Sequence, residues 1–137
     1  MTVIVDWSQN LDHLHFASSA LEVKFDPAQV AWLASLDESG NLLGVVVYSR
    51  FSECNCEMSV VAASPKFLTR KALKAFFGYP FHQLKLPRVT AVVATNNKRA
   101  FDFNQRLGFV VEGYLRKWFA DADGIVLGML KDECRWL

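Results

Sequence analysis

Apolar and polar residues alternate or recur along the chain in a way that divides it into short strands and three helical stretches. Val3-Ile4-Val5 is a candidate first strand. From Leu11 to Phe25 the positions Leu11, Leu14, His15, Ser18, Leu21 and Phe25 fall three or four apart, which predicts a weakly amphipathic helix closed before Asp26-Pro27. Ala31 to Leu36 and Leu42 to Phe51 are two apolar runs flanking Asp37-Glu38-Ser39-Gly40-Asn41, the pattern of a hairpin. Glu57 to Ala63 is a third run rich in β-formers. Ser64-Pro65 then opens a long helix from about Lys66 to Leu84, with an apolar stripe through Leu68, Ala72, Phe76 and Leu73, Phe77, Phe81, Leu84. Gly78 and Pro80 should kink it.

The stretch Arg88 to Phe109 organises the second half of the chain. Arg88 to Thr95 is β-rich, bounded by Pro87 and by Asn96-Asn97, so it reads as a buried strand ending in a polar turn. Ala100, Phe101, Phe103 and Leu107 recur at helical spacing after the asparagines, and Gly108 stands where a left-handed cap would end that helix. Phe109 belongs to the core. Val110 to Phe119 and Ile125 to Leu130 are two further strands joined at Asp121-Ala122-Asp123-Gly124. There is no internal repeat, linker or low-complexity segment.

At 137 residues this is the length of one domain, with 52% hydrophobic and 21% charged residues, a composition of ordered globular chains. No apolar run approaches a membrane span, and the start Met1 to Trp7 lacks the basic segment of a secretory signal; a cytoplasmic protein is expected. The net charge is +1 but unevenly spread. Residues 1–62 carry two basic and eight acidic side chains, and residues 63–137 thirteen basic and six acidic. A basic half suits a polyanionic cofactor and an acidic half a cationic acceptor. Basic residues interleaved with acids, without a groove-reading motif, argue against nucleic acid.

Three cysteines, with Cys54 and Cys56 one residue apart, fit reduced structural thiols better than a redox or zinc motif. His13 and His15 face apart on a helix and no second ligand pair follows, so no metal site is expected. His82 is expected on a helix surface.

Asn97, Ala100, Arg106-Leu107-Gly108-Phe109 and Glu112-Gly113-Tyr114-Leu115-Arg116 together resemble the N-x-x-A/S … LGF-x-x-EG-x-R signature of the GNAT acyltransferases. The similarity is greatest to the branch acetylating protein N-termini and small amines. It runs over most of Cys56 to Leu137, and the closing Gly128 to Leu137 also resembles short phage or bacterial members. It implies an α/β fold: a mixed, mostly antiparallel central sheet with helices on both faces and a splayed strand pair that binds acetyl-CoA. It also implies an N-acetyltransferase acting by direct attack of a primary amine, of a small molecule or a protein N-terminus or lysine, in a ternary complex. The alternative is a catalytically weak acyl-CoA-binding or protein-interaction module on the same fold.

By the same resemblance Val60, Val61 and Ala62 offer backbone groups to the pantetheine arm, with an oxyanion donor near Val61. The pyrophosphate falls at the start of the long helix. The family usually marks that start with R/Q-x-x-G-x-G/A; here Pro65 and Phe67 replace both glycines. That leaves the amides of Phe67, Leu68, Thr69, Arg70 and Lys71, with help from the Lys66, Arg70 and Lys71 side chains. Asn97, Phe101 and Asn104 are assigned to the coenzyme arm. Glu57 is the candidate base, acting through water. Many members place a tyrosine where this chain has Asn104, so thiolate protonation is left to water or Tyr114, with Asn104 as a hydrogen-bond donor. The C-terminal strands, with Tyr114, Trp118 and Trp136, are candidates for a homodimer contact.

Overall fold

Seven strands and three helices follow the order read from the pattern, and the ends of several elements are set by side chains the pattern does not weigh. The computed structural model describes residues 2–137. Its strands are β1 (Ile4–Asp6), β2 (Ala31–Leu36), β3 (Leu42–Ser49), β4 (Glu57–Ala62), β5 (Arg88–Ala94), β6 (Val110–Leu115) and β7 (Gly124–Leu130). Its helices are α1 (Leu11–Leu21), α2 (Arg70–Gly78) and α3 (Lys98–Leu107). The strands form one sheet in the order β1-β2-β3-β4-β5-β7-β6. Every neighbouring pair is antiparallel except β4 with β5.

Two apolar layers sandwich the sheet. On one face Ala72, Leu73, Phe76 and Phe77 of α2 and Leu107 of α3 bury against Val46, Val89, Ala91, Val93 and Leu127, with Phe109 in the same layer. On the other face Leu14 and Ala17 of α1 cover Trp32, Ala34, Val45, Val47 and Val61. Alternation along β5 shows the division: Val89, Ala91 and Val93 are buried while Arg88, Thr90, Val92 and Ala94 between them are only partly so.

Several element ends differ from the sequence reading, β3 among them, which stops at Ser49 rather than Phe51. Helix α1 stops at Leu21 rather than Phe25, because Glu22 takes a left-handed conformation (φ 55°) and its N–H returns to the Ser18 carbonyl. The long helix starts at Arg70, not Lys66. Thr69 caps it with an extended backbone and a side chain that accepts the Ala72 N–H at 3.1 Å. Ser64 to Phe67 form a separate turn closed by the Phe67 N–H on the Ser64 carbonyl at 3.2 Å. Strand β6 ends at Leu115 rather than Phe119, since Lys117 (φ 54°) reverses the chain and donates its N–H to Asp123 at 2.7 Å. Helix α2 widens into a π turn over Tyr79–Gln83, where Pro80 has no N–H to continue the regular ladder.

Gly108 closes α3 with φ 115° and donates to the Asn104 and Gln105 carbonyls. Gly44 meets a different demand. A Cβ there would lie 2.8 Å from the Phe67 Cγ, so only a bare backbone lets that ring lie on β3. Phe67 is 5% exposed and its centroid is 6.1 Å from that of Phe103 on α3. The ring thus pins the turn before α2 to both the sheet and α3.

Candidate active site

The parallel pair β4–β5 is joined at one register position, Glu57 opposite Thr90, with the Thr90 N–H on the Cys56 carbonyl at 2.9 Å. Beyond it the strands diverge. On its other side β4 stays paired with β3 along its length, from Glu57 opposite Ser49 to Ala62 opposite Gly44. Backbone groups alternate sides along a strand, and the Ala63 N–H donates to the Leu43 carbonyl at 2.8 Å. Val61 and Ser59 therefore address β3, while Val60 and Ala62 turn their N–H and C=O groups into the gap. This corrects the placement of a donor at Val61. Its amide is committed to β3 and its side chain is buried under α1.

The gap widens into a cleft of about 990 Å³ that passes through the sheet. On the α3 side it is lined by Val60, Asn97, Ala100 and Asn104. On the α1 side its walls are the segment after α1, the residues after β3, and Trp118 and Phe119 between β6 and β7. Glu57 stands at its closed end.

Glu57 has a side chain 17% exposed, and the Arg50 Nε lies 3.0 Å from its Oε2. Burial pushes the carboxyl above its ordinary range, and the guanidinium opposes that rise without cancelling it. Arg50 is the residue just after β3, held at φ 50°, and its guanidinium carbon sits 5.2 Å from the Trp118 ring centroid. Neighbouring Cys56 is fully buried and its thiol is pushed up to about 12 by desolvation, which makes it inert at neutral pH.

The helix-start residues separate into two groups. The Phe67 N–H is spent on Ser64 and its ring on the core, so Phe67 is not a free donor. The Thr69 hydroxyl is engaged as the cap of α2, whose first amides, Arg70 and Lys71, point out of the helix start with Leu68 and Thr69 just before them. Lys66, Arg70 and Lys71 are cations around that point, all three exposed. The Arg70 guanidinium also lies 5.9 Å from the ring centroid of Trp136, whose Nε1 donates to the Leu107 carbonyl at 2.8 Å.

Asn97 reaches the cleft, but its Oδ1 accepts the Ala100 N–H at 3.1 Å as the cap of α3, leaving only its amide hydrogens to offer. Asn104 is 8% exposed and donates its Nδ2 to the Ala100 carbonyl at 2.8 Å while lining the cleft. Phe101 packs against the core and does not line the cleft. Tyr114 is also misplaced by the sequence reading. It lies on edge strand β6, two strands from β5, is 65% exposed and lines no part of the cleft. Among the described residues no three His, Cys, Asp or Glu side chains converge as a metal site, and no helix is long and apolar enough to cross a membrane.

Sequence reasoning missed Arg50, Trp118 and Phe119. Arg50 had a signal: a cation at the end of a strand that pairs with the one opening on Glu57. Extending that strand to Phe51 hid it. Nothing in the local pattern draws Trp118 toward Arg50, because a turn made at Lys117 and Asp123 brings it there.

The family model described as the Acetyltransferase (GNAT) domain matches residues 5–110. The chain belongs to the GNAT acetyltransferases. Among solved structures, the GNAT chain is similar to a point mutant of the spermidine N-acetyltransferase SpeG from Vibrio cholerae. That match has 17% identity and a TM-score of 0.79, over 100% of this chain and 98% of the other. A chimera of that enzyme with hSSAT gives 18% and 0.77, over 96% and 98%. A dodecameric form from Vibrio cholerae gives 19% and 0.74, over 96% and 94%. No curated protein sequence matches. The GNAT family uses acetyl-CoA as cosubstrate, and this chain is an acetyl-CoA-dependent N-acetyltransferase. The residues present fit that cosubstrate. An unpaired strand edge suits the amides of a pantetheine arm, and a helix start with outward N–H groups and nearby cations suits a pyrophosphate.

Proposed function

We propose that the β4–β5 cleft carries the acetyl transfer, with the coenzyme on the α3 side and the amine entering from the α1 side. Acetyl-CoA supplies an acetyl group activated as a thioester. Val60 and Ala62 hold the arm through their open backbone groups, and the Asn97 amide reaches it from α3. The amides of Leu68 to Lys71, with the Lys66, Arg70 and Lys71 side chains, hold the pyrophosphate. A backbone N–H of Val60 or Ala62 stabilises the charge that builds on the carbonyl oxygen during attack. Glu57, directly or through one water, takes the proton that the amine must lose. Its raised pKa brings it nearer the working pH of a base. Asn104 can donate a hydrogen bond to sulfur but cannot protonate it; water does that, a thiol being an acceptable leaving group.

The observation that carries this reading is the position of Glu57 where β4 leaves β5, so that a largely buried carboxylate and the unpaired backbone groups of Val60 line the same cleft. The reduced thiols and use of acetyl-CoA support a cytoplasmic site of action. Edge strand β6, with Val110 and Tyr114 exposed, supports a homodimer contact. Trp118 and Trp136 are less suited to one, being engaged with Arg50 and Leu107. The test is incubation with acetyl-CoA and a panel of primary amines, following thiol release. Amine-dependent release, lost or strongly reduced in Glu57→Gln, is expected; release indifferent to Glu57 would move the base elsewhere.

A further inference from the structure

We infer that the acceptor is an amine with a single positive charge carried on an aromatic or bulky apolar body, and that Arg50, seated on Trp118, disfavours polyamines. This rests on the cleft being the transfer site and adds the class of acceptor.

Apolar side chains from separate segments converge on the α1-side mouth. Leu21 and Val23 come from the end of α1 and just after it, Phe51 follows β3, and Trp118 lies between β6 and β7. They are 37%, 43%, 42% and 43% exposed, and Phe25 and Phe119 line the same opening. Covering them with an apolar body removes that surface from water, a gain that a slender, multiply charged chain does not match. Charge points the same way. Among the described residues the cleft is lined by two cations, Lys24 and Arg50, and two carboxylates, Asp26 and Glu57. Asp26 already accepts the Ala28 N–H at 3.0 Å, and Glu57 is paired with Arg50. One ammonium can approach Glu57 and give up its proton there. A second would find only the exposed Asp26, whose charge is offset by Lys24 in the same lining, and would meet the Arg50 guanidinium. The Trp118 face, which could otherwise hold a cation, is taken by Arg50 at 5.2 Å.

The experiment compares 2-phenylethylamine with spermidine on the full chain. It measures kcat/KM at saturating acetyl-CoA, and calorimetric binding of each amine in the presence of CoA. A preference of about tenfold or more for phenylethylamine is expected in both readouts, the scale an apolar pocket delivers. Arg50→Gln should narrow it by improving spermidine, and Trp118→Ala should narrow it by weakening phenylethylamine. Spermidine favoured or equal in the parent, or an unchanged ratio in both variants, would overturn the inference. If neither amine is acetylated but phenylethylamine binds more tightly, the transferase reading fails and the acceptor class stands. If neither binds, both fail.

Discussion

Arg50 and Glu57 meet at 3.0 Å across the β3–β4 hairpin, yet only Glu57 is largely withdrawn from water, its side chain 17% exposed; Arg50 is 66% exposed and rests on Trp118. The pair is therefore asymmetric. Water screens the guanidinium, so its attraction does not offset the desolvation of the carboxylate, and Glu57 keeps a raised pKa.

Stability should reflect that. A carboxyl whose folded pKa lies above its unfolded value binds more protons when folded, so its contribution is fully present below the unfolded pKa and is lost as pH rises through the folded one. Glu57→Gln removes this loss. The variant should be more stable than the parent at neutral pH, with the difference shrinking toward about pH 4, where the unfolded carboxyl titrates. Denaturant midpoints across that range measure it, and a variant less stable at neutral pH would mean that the ion pair outweighs the burial.

Asn97 separates a cap from a ligand contact. Asn97→Ala should cost about 1 kcal/mol of stability through the lost cap. Asn97→Asp keeps the oxygen that accepts from Ala100 but has no amide hydrogens. It should hold stability while weakening acetyl-CoA by about 0.5–1.5 kcal/mol. Equal coenzyme affinity in Asn97→Asp would leave Asn97 with a purely structural role.

Gly44 links the core to the turn before α2, where the proposed pyrophosphate site lies. Gly44→Ala drives a methyl into the Phe67 ring and should cost about 1–3 kcal/mol. Because Phe67 anchors the turn before α2, acetyl-CoA affinity should fall as well. Restored binding in Gly44→Ala combined with Phe67→Leu would show that the ring transmits the effect.

Gly108 meets a conformational demand of another kind. At φ 115° a side chain is disfavoured even though a Cβ would only touch Met129 and Arg135 at 3.4 and 3.5 Å. Gly108→Ala should cost about 1–2 kcal/mol in the denaturant midpoint without changing acetyl-CoA affinity.

The strands and the bounds of α3 were legible because they depend on local pattern. Arg88 to Ala94 alternates cleanly, and Asn97 and Gly108 are residues whose chemistry dictates a helix start and stop. The helix after β4 was misplaced because Pro65 is an acceptable first residue, whereas Thr69 offers a cap four positions later and Phe67 finds a seat over Gly44 that no local rule reveals. The donor parity of β4 needed the register with β3, and Tyr114 needed the strand order, both non-local. The α1-side walls of the cleft come from three loops, whose approach depends on the left-handed residues Glu22, Arg50 and Lys117.

The pH–rate profile of acetyl transfer, followed as thiol release at saturating acetyl-CoA for the parent and for Glu57→Gln, tests the central claim most directly. The parent should lose rate on the acid side as Glu57 takes up its proton. Glu57→Gln should be slower and lack that acid limb. Matching profiles at matching rates would contradict Glu57 as the base and move the proton acceptor elsewhere.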